Sequence, residues 1–139
     1  MSRLTTDEQL KNLLETSKRI AIVGLSNKPE RDSYKVAEYL LNQGYEVIPV
    51  NPTINEVLGK KAVGSLKEIE GQVDIVDVFR RPDQVMPIVE EAVEIGAKAI
   101  WLQLGVVNEE AANFASEKGL NVVMDKCIKI EHKRLFKSE

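Results

Sequence analysis

RIAIVGLSNKPERDSYKVAEYL, residues Arg19 to Leu40, is the stretch that decides the fold. It opens with a short apolar run, Ile20 to Val23, rich in β-branched residues, which reads as a buried parallel strand. Gly24 ends the run, a polar loop follows, and an amphipathic helix begins near Ser33. A strand that passes through glycine into a helix is the phosphate-cradling unit of doubly wound α/β folds, because its backbone N–H groups and helix N-terminus attract anions. The loop holds Ser26 and Ser33 as hydroxyl donors and Lys28 and Arg31 as cations. One glycine is equally compatible with an ordinary βα turn, so the rest of the chain must decide.

Outward from this unit the chain alternates. On its N-terminal side, Thr6 precedes Asp7 and Glu8, with Leu10, Leu13 and Leu14 at helical spacing. This predicts a capped helix over about residues 6–17, packed on the domain by one apolar stripe. On its C-terminal side, Val36, Ala37, Leu40 and Leu41 share a helix face, and Gly44 sits at the C-cap. Tyr45 to Val50 is a second strand ending at Asn51-Pro52. A loop with a minor edge strand near Lys61 to Val63 leads to a short helix from Ser65. Further strands follow at Val73 to Phe79, Ala99 to Leu104 and Leu120 to Met124. Between them lie a helix opened by Pro82 and one capped by Asn108, and a last short helix begins around Asp125 and Lys126. Such alternation predicts one Rossmann-like α/β domain over residues 1–139, three-layered and doubly wound, with a mostly parallel sheet in the order 3-2-1-4-5-6. The switch point then falls between the first strand and the strand ending at Phe79, and ligands bind beyond the carboxyl ends of the strands there.

Composition narrows the function classes. The chain has 139 residues and a net charge of −3, which speaks against nucleic acid as a partner. No apolar run reaches membrane-spanning length, and MSRLTTDEQLKNLLE lacks the apolar centre of a signal peptide, so a cytoplasmic protein is expected. One cysteine and one histidine leave no disulfide framework and no cysteine- or histidine-rich metal site.

The loops at the predicted switch point gather Lys28, Arg31, Arg80 and Arg81. Arg80-Arg81 reads either as a solvated surface pair or as an anion site, and its position directly after an apolar strand favours the second. Phe79 and Pro82 either flank an aromatic base or belong to the core. Two features weigh against a nicotinamide dinucleotide. Ser26 stands where GxGxxG has its second glycine, and Asn51-Pro52 replaces the acidic residue that binds ribose hydroxyls. Catalytic signals are weak: no nucleophile–base pair is visible. His132 reads as a solvated surface histidine; of Asp74 and Asp77 within DIVDVF, either one points inward and is functional or they are strand-end or sheet-edge carboxylates, the second being favoured. Cys127, the sole thiol, reads either as inert core or as a group near a ligand at the ends of the last strands.

Five stretches together resemble a known family: IAIVGLSNKPERDSYKVAEYL, GYEVIPVNPTINEVLGKKAVGSL, VDIVDVFRRPDQV, IGAKAIWLQLGVVNEEAANFA and GLNVVMDKCIKIEH. They are similar to the small stand-alone CoA-binding domain proteins, relatives of the CoA-binding N-terminal domain of the succinyl-CoA synthetase α subunit. The resemblance implies a Rossmann-like domain that binds coenzyme A. By position it implies that Gly24, Ser26, Lys28, Arg31 and Ser33 line the phosphate loop. Asn51 and Pro52, with Phe79, Arg80, Arg81 and Pro82, would flank the nucleotide. Gln103, Gly105, Met124 and Cys127 would line the path of the pantetheine arm. The synthetase's catalytic histidine lies in a domain this chain lacks, so the ligand carries over and the ligase activity does not. The expected function is binding of CoA or acyl-CoA without catalysis, as a carrier, a sensor or the partner of an acyl-CoA enzyme. The alternative is a small enzyme that acts on an acyl-CoA or uses NAD(P).

Overall fold

The structure, a computed structural model, describes residues 3–137. In chain order its elements are α1 (Asp7–Thr16), β1 (Arg19–Val23), α2 (Asp32–Asn42), β2 (Glu46–Val50), β3 (Glu56–Val57), β4 (Lys60–Lys61), β5 (Ile75–Val78), α3 (Val85–Glu94), β6 (Ala99–Leu102), α4 (Glu109–Glu117), β7 (Asn121–Met124) and α5 (Ile128–Leu135). Short 3₁₀ turns at Leu66–Glu68 and Pro82–Gln84 precede β5 and α3. The five long strands form one parallel sheet in the order β2-β1-β5-β6-β7.

Period-two alternation along the strands builds two cores. Ala21, Val23, Val76, Val78, Ile100 and Leu102 face α3 and α4. Ile20, Ile22, Ile75, Trp101 and Val123 face α1, α2 and α5. Because side chains on successive strand residues point to opposite faces, apolar residues at every position bury both faces. The chain leaves β1 outward to β2 and then returns to β5 on the other side of β1, so the loops after β1 and β5 diverge and leave a crevice between them. The doubly wound parallel architecture is the one expected from the sequence. The capped first helix is present too, with the Thr6 hydroxyl accepting from Gln9 N at 3.2 Å and the Gln9 side chain accepting from Thr6 N at 3.1 Å.

Two elements differ from expectation. The minor third strand shrinks to one residue: Val63 bridges Val50 in parallel at the edge of β2. The residues before it turn back on themselves, since Leu58 (φ 54°) and Gly59 (φ 76°) form a tight two-residue turn that pairs β4 with β3 instead. The last helix starts at Ile128 and not at Asp125, which adopts a left-handed φ of 64° and delays it.

Gly24 is where the backbone demands glycine. Its φ is +87°, and a Cβ built there would lie 2.2 Å from the Phe79 carbonyl oxygen. Gly44 shares the conformation (φ +96°) but has open space around it. Gly44→Ala should therefore cost about 1 kcal/mol from backbone strain. Gly24→Ala adds a clash with rigid backbone and should cost about 3 kcal/mol. Thermal unfolding of both variants checks this, and equal losses would remove the close approach as the cause.

Candidate binding site

The carboxyl ends of β5, β6 and β7 and the start of α2 enclose a cleft of about 750 Å³. Its floor and walls include Phe79, Arg80, Arg81 and Pro82 after β5, Gln103 to Val106 after β6, and Cys127, Lys129 and Ile130 after β7. Asp32, Lys35 and Val36 from the first turns of α2 complete it. A smaller hollow of about 180 Å³ adjoins it; Arg80 lines both, and Pro52, Ser65 and Glu91 line the smaller one.

Short polar links fix the loops around the cleft. The Gln103 side-chain oxygen accepts from Ile128 N at 3.1 Å, and the Asp125 carboxylate accepts from Gly105 N at 2.7 Å. Asn108 donates from its side-chain amide to the Pro82 carbonyl at 2.9 Å. These bonds fasten the β5, β6 and β7 loops to one another.

The electrostatics favour an anion. The helices α2 and α5 begin at the cleft, and α3 begins just behind it through the Pro82–Gln84 turn. Each contributes the positive end of its dipole. Lys35, Arg80 and Lys129 face the same space without a carboxylate in ion-pair range; among the described residues the salt bridges use Arg3, Arg19, Lys67, Arg81, Lys98 and Arg134. Arg81 is held only by Asp83, at 3.4 Å and largely in solvent, which leaves it available.

Of the residues singled out in the sequence, Phe79, Arg80, Arg81, Pro82, Gln103, Gly105 and Cys127 line the large cleft, and Pro52 lines the smaller hollow. Cys127 is half-buried at the N-cap of α5, where it both lines the cleft and packs against the core on the α1/α2/α5 side. The remaining ones line neither. Gly24 donates its N–H to Val50 O at 2.9 Å. Ser33 is buried, and its hydroxyl accepts from Ser26 N at 3.0 Å. The Ser26 hydroxyl accepts from Lys28 N at 3.1 Å. Asn51 donates to Leu25 O at 3.0 Å and accepts from Thr53 N at 2.9 Å, tying the first two loops together. Lys28 and Arg31 are exposed on the loop before α2, and Met124 packs against the core on the α3/α4 side. Sequence reasoning passed over Lys35, Lys129 and Ile130. Ile130 had a legible signal, since it lies two residues from Ile128 and so on the opposite face of α5.

Residues 18–133 match the family model described as CoA binding domain. The chain belongs to this CoA-binding domain family. It is 54% identical over 124 residues to the uncharacterized protein YneT of Bacillus subtilis, covering 89% of this chain and 92% of that one. It is 32% identical over 122 residues to the α subunit of acetate–CoA ligase (ADP-forming) II of Pyrococcus furiosus. That match covers 80% of this chain but 27% of the ligase subunit, so the chain spans about a quarter of it. Among solved structures, a hypothetical protein from Pyrococcus horikoshii superposes with a TM-score of 0.92 at 45% identity, over 94% of this chain and 92% of that one.

Two titratable groups of this family member correct the sequence reading. His132 is not solvated: it is 6% exposed, its Nδ1 is 2.7 Å from the Tyr39 hydroxyl, and its ring stacks on Phe136 at 4.4 Å. Burial lowers its pKa from the ordinary value. Asp74 does sit at a strand end, where it accepts from the backbone N–H groups of Lys18 and Arg19 at 2.8 and 3.0 Å. Asp77 does not. It lies inside the central strand β5, level with Ile22 and Trp101 in the neighbouring strands, fully buried. Neither of its carboxyl oxygens has a hydrogen-bond partner among the described residues, and burial raises its pKa well above the ordinary value. Above the ordinary carboxyl pKa the unfolded chain has released this proton while the folded chain retains it. Stability therefore falls as pH rises through that window. Asp77→Asn removes the ionisable group at nearly constant volume. It should raise the melting temperature more at pH 8 than at pH 4, and a shift independent of pH would show that Asp77 is not held protonated.

Proposed function

We propose that this chain binds coenzyme A in the cleft beyond β5, β6 and β7 and performs no chemistry on it. The observation that carries the reading is Arg80, an unpaired guanidinium at the junction of two hollows, in an acidic chain of the CoA-binding domain family. A guanidinium there can form charge-assisted bonds to phosphate oxygens. The nucleotide and its phosphates lie on the β1/β5 side, with Pro52 and Phe79 to Pro82 around them and Lys28 and Arg31 at the rim. The pantetheine arm runs past Gln103 and Gly105 towards Cys127. Gly24, Ser26, Ser33 and Asn51 act on this reading through the loop shapes they fix, and Met124 supports the strand end from behind.

Catalysis is not part of the proposal. The single imidazole, His132, is engaged by Tyr39 and lies away from the cleft lining, so it is not placed as a general base for Cys127. A carrier or sensor of CoA thioesters, or a module that presents them to an enzyme, fits such a site. The relatives that are ligases contain this unit as a fraction of their length, and a separate catalytic partner is the corresponding arrangement. A cytoplasmic location is part of the same reading; among the described residues no helix is long and apolar enough to cross a membrane.

Calorimetry with CoA, dephospho-CoA and NAD tests ligand choice. CoA should bind tightest, dephospho-CoA more weakly for want of the 3′-phosphate, and NAD weakest; equal affinity for all three would overturn the proposal. Arg80→Ala should weaken CoA binding about ten- to a hundred-fold, the 1.5–3 kcal/mol expected of a charged hydrogen bond. An unchanged dissociation constant with an intact circular dichroism spectrum would return Arg80 to the role of a solvated cation.

A further inference from the structure

The two sides of the cleft differ in chemistry. On the β1/β5 side the cations Lys35, Arg80 and Arg81 stand with Asp32 and the apolar Val36, Phe79 and Pro82; on the β6/β7 side stand Leu104, Val106, Cys127 and Ile130, with Lys129 as the one cation. The apolar side is also where the surface departs from the usual pattern. Among the described residues the strongly exposed large hydrophobic side chains are Leu104 (65%), Val107 (45%) and Ile130 (55%). Leu104 and Ile130 line the cleft, and Val107 follows Val106 on the same loop. Exposed apolar residues scattered singly mean nothing, but a cluster confined to one lip of a ligand cleft marks a surface that something apolar covers.

We infer that the ligand held in this cleft is a CoA thioester with a neutral hydrocarbon acyl chain of medium length, which lies across Leu104, Val106 and Ile130. The inference rests on the CoA reading above, which brings the thiol end of pantetheine to the β6/β7 side. Free CoA ends there in a small thiol and leaves the lip uncovered. An acyl chain continues from that point onto the lip and removes apolar surface from water, each methylene adding to affinity in proportion to its burial. Lys129 is a lone, flexible point charge on this side, not the planar fork that grips a carboxylate in two places, so a terminal carboxylate on the acyl group gains little.

Calorimetry with CoA, acetyl-, butyryl-, hexanoyl-, octanoyl- and succinyl-CoA tests this. Affinity should climb by about two-fold per methylene for a half-buried chain, about sixty-fold from acetyl- to octanoyl-CoA, with succinyl-CoA no tighter than butyryl-CoA. The double variant Leu104→Ser, Ile130→Ser should flatten the dependence on chain length, whatever it does to CoA itself; both positions are exposed, and circular dichroism confirms the fold. A series that is flat in wild-type protein overturns the inference while leaving CoA binding in place. Tightest binding of succinyl-CoA overturns it in favour of a carboxylate-reading site. A flat series together with a dimer in sedimentation that the double variant dissociates overturns it in favour of a second copy covering the lip. Failure of every compound in the series to bind removes the CoA reading itself.

Discussion

The arrangement of the site depends on one close approach. At the end of β1 the chain turns through Gly24, and the Phe79 carbonyl at the end of β5 occupies the space that any other residue's Cβ would fill. The two strand ends are also bonded, Phe79 N to Val23 O at 2.9 Å. This contact lets β5 run alongside β1 to its last residue before the chain diverges towards α3. It sets where Arg80 emerges, since the Arg80 Nε stands 3.4 Å from the same missing Cβ. In a doubly wound sheet the glycine after the first strand is usually credited with making room for a ligand. Here its N–H is bonded to Val50 and its bare face meets the Phe79 carbonyl, so it fixes where the two strand ends come together.

Much of this was legible in the sequence because the signals were redundant. Each long strand is mostly apolar with a glycine or proline within a few residues of an end, and each helix has either a cap, as at Thr6 and Asn108, or a single buried stripe, so neighbouring readings reinforced one another. The third strand is shorter than expected: Val63 pairs at the edge of β2, while Lys60 and Lys61 pair with Glu56 and Val57 through the two-residue turn at Leu58-Gly59. His132 and Asp77 also differ from expectation. Both are polar residues among polar or charged neighbours in sequence, and only the packing of α5 on α2, or the position of β5 in mid-sheet, takes them out of water. At the site, loop residues after β5 and β6 were readable because strand ends locate them. Lys35 was not, because it comes from a helix whose rotation about its own axis no loop pattern reveals.

Net charge and local charge point in opposite directions. The chain carries −3 in total, yet its cleft collects Lys35, Arg80 and Lys129 beside helix N-termini. An acidic surface with one positive concavity steers anions inward and repels them elsewhere, with a field that low-dielectric walls concentrate. Asp77, two residues before Phe79 of the cleft wall, is fully buried, and burial raises its pKa well above the ordinary value, which disfavours its charged form.

The aromatic group around His132 has a mechanical meaning. Tyr39 belongs to α2 and His132 to α5, and their hydrogen bond, with Tyr45 and Phe136 packed against the imidazole, rivets the two helices together little more than a turn beyond the cleft. These are the helices whose N-terminal turns supply Lys35 on one jaw and Cys127 and Ile130 on the other. A rivet so close behind the jaws makes them stiff: the gap cannot widen without breaking the joint or bending a helix. The joint therefore opposes any parting of the two jaws, which a ligand of the right width would meet already braced from behind.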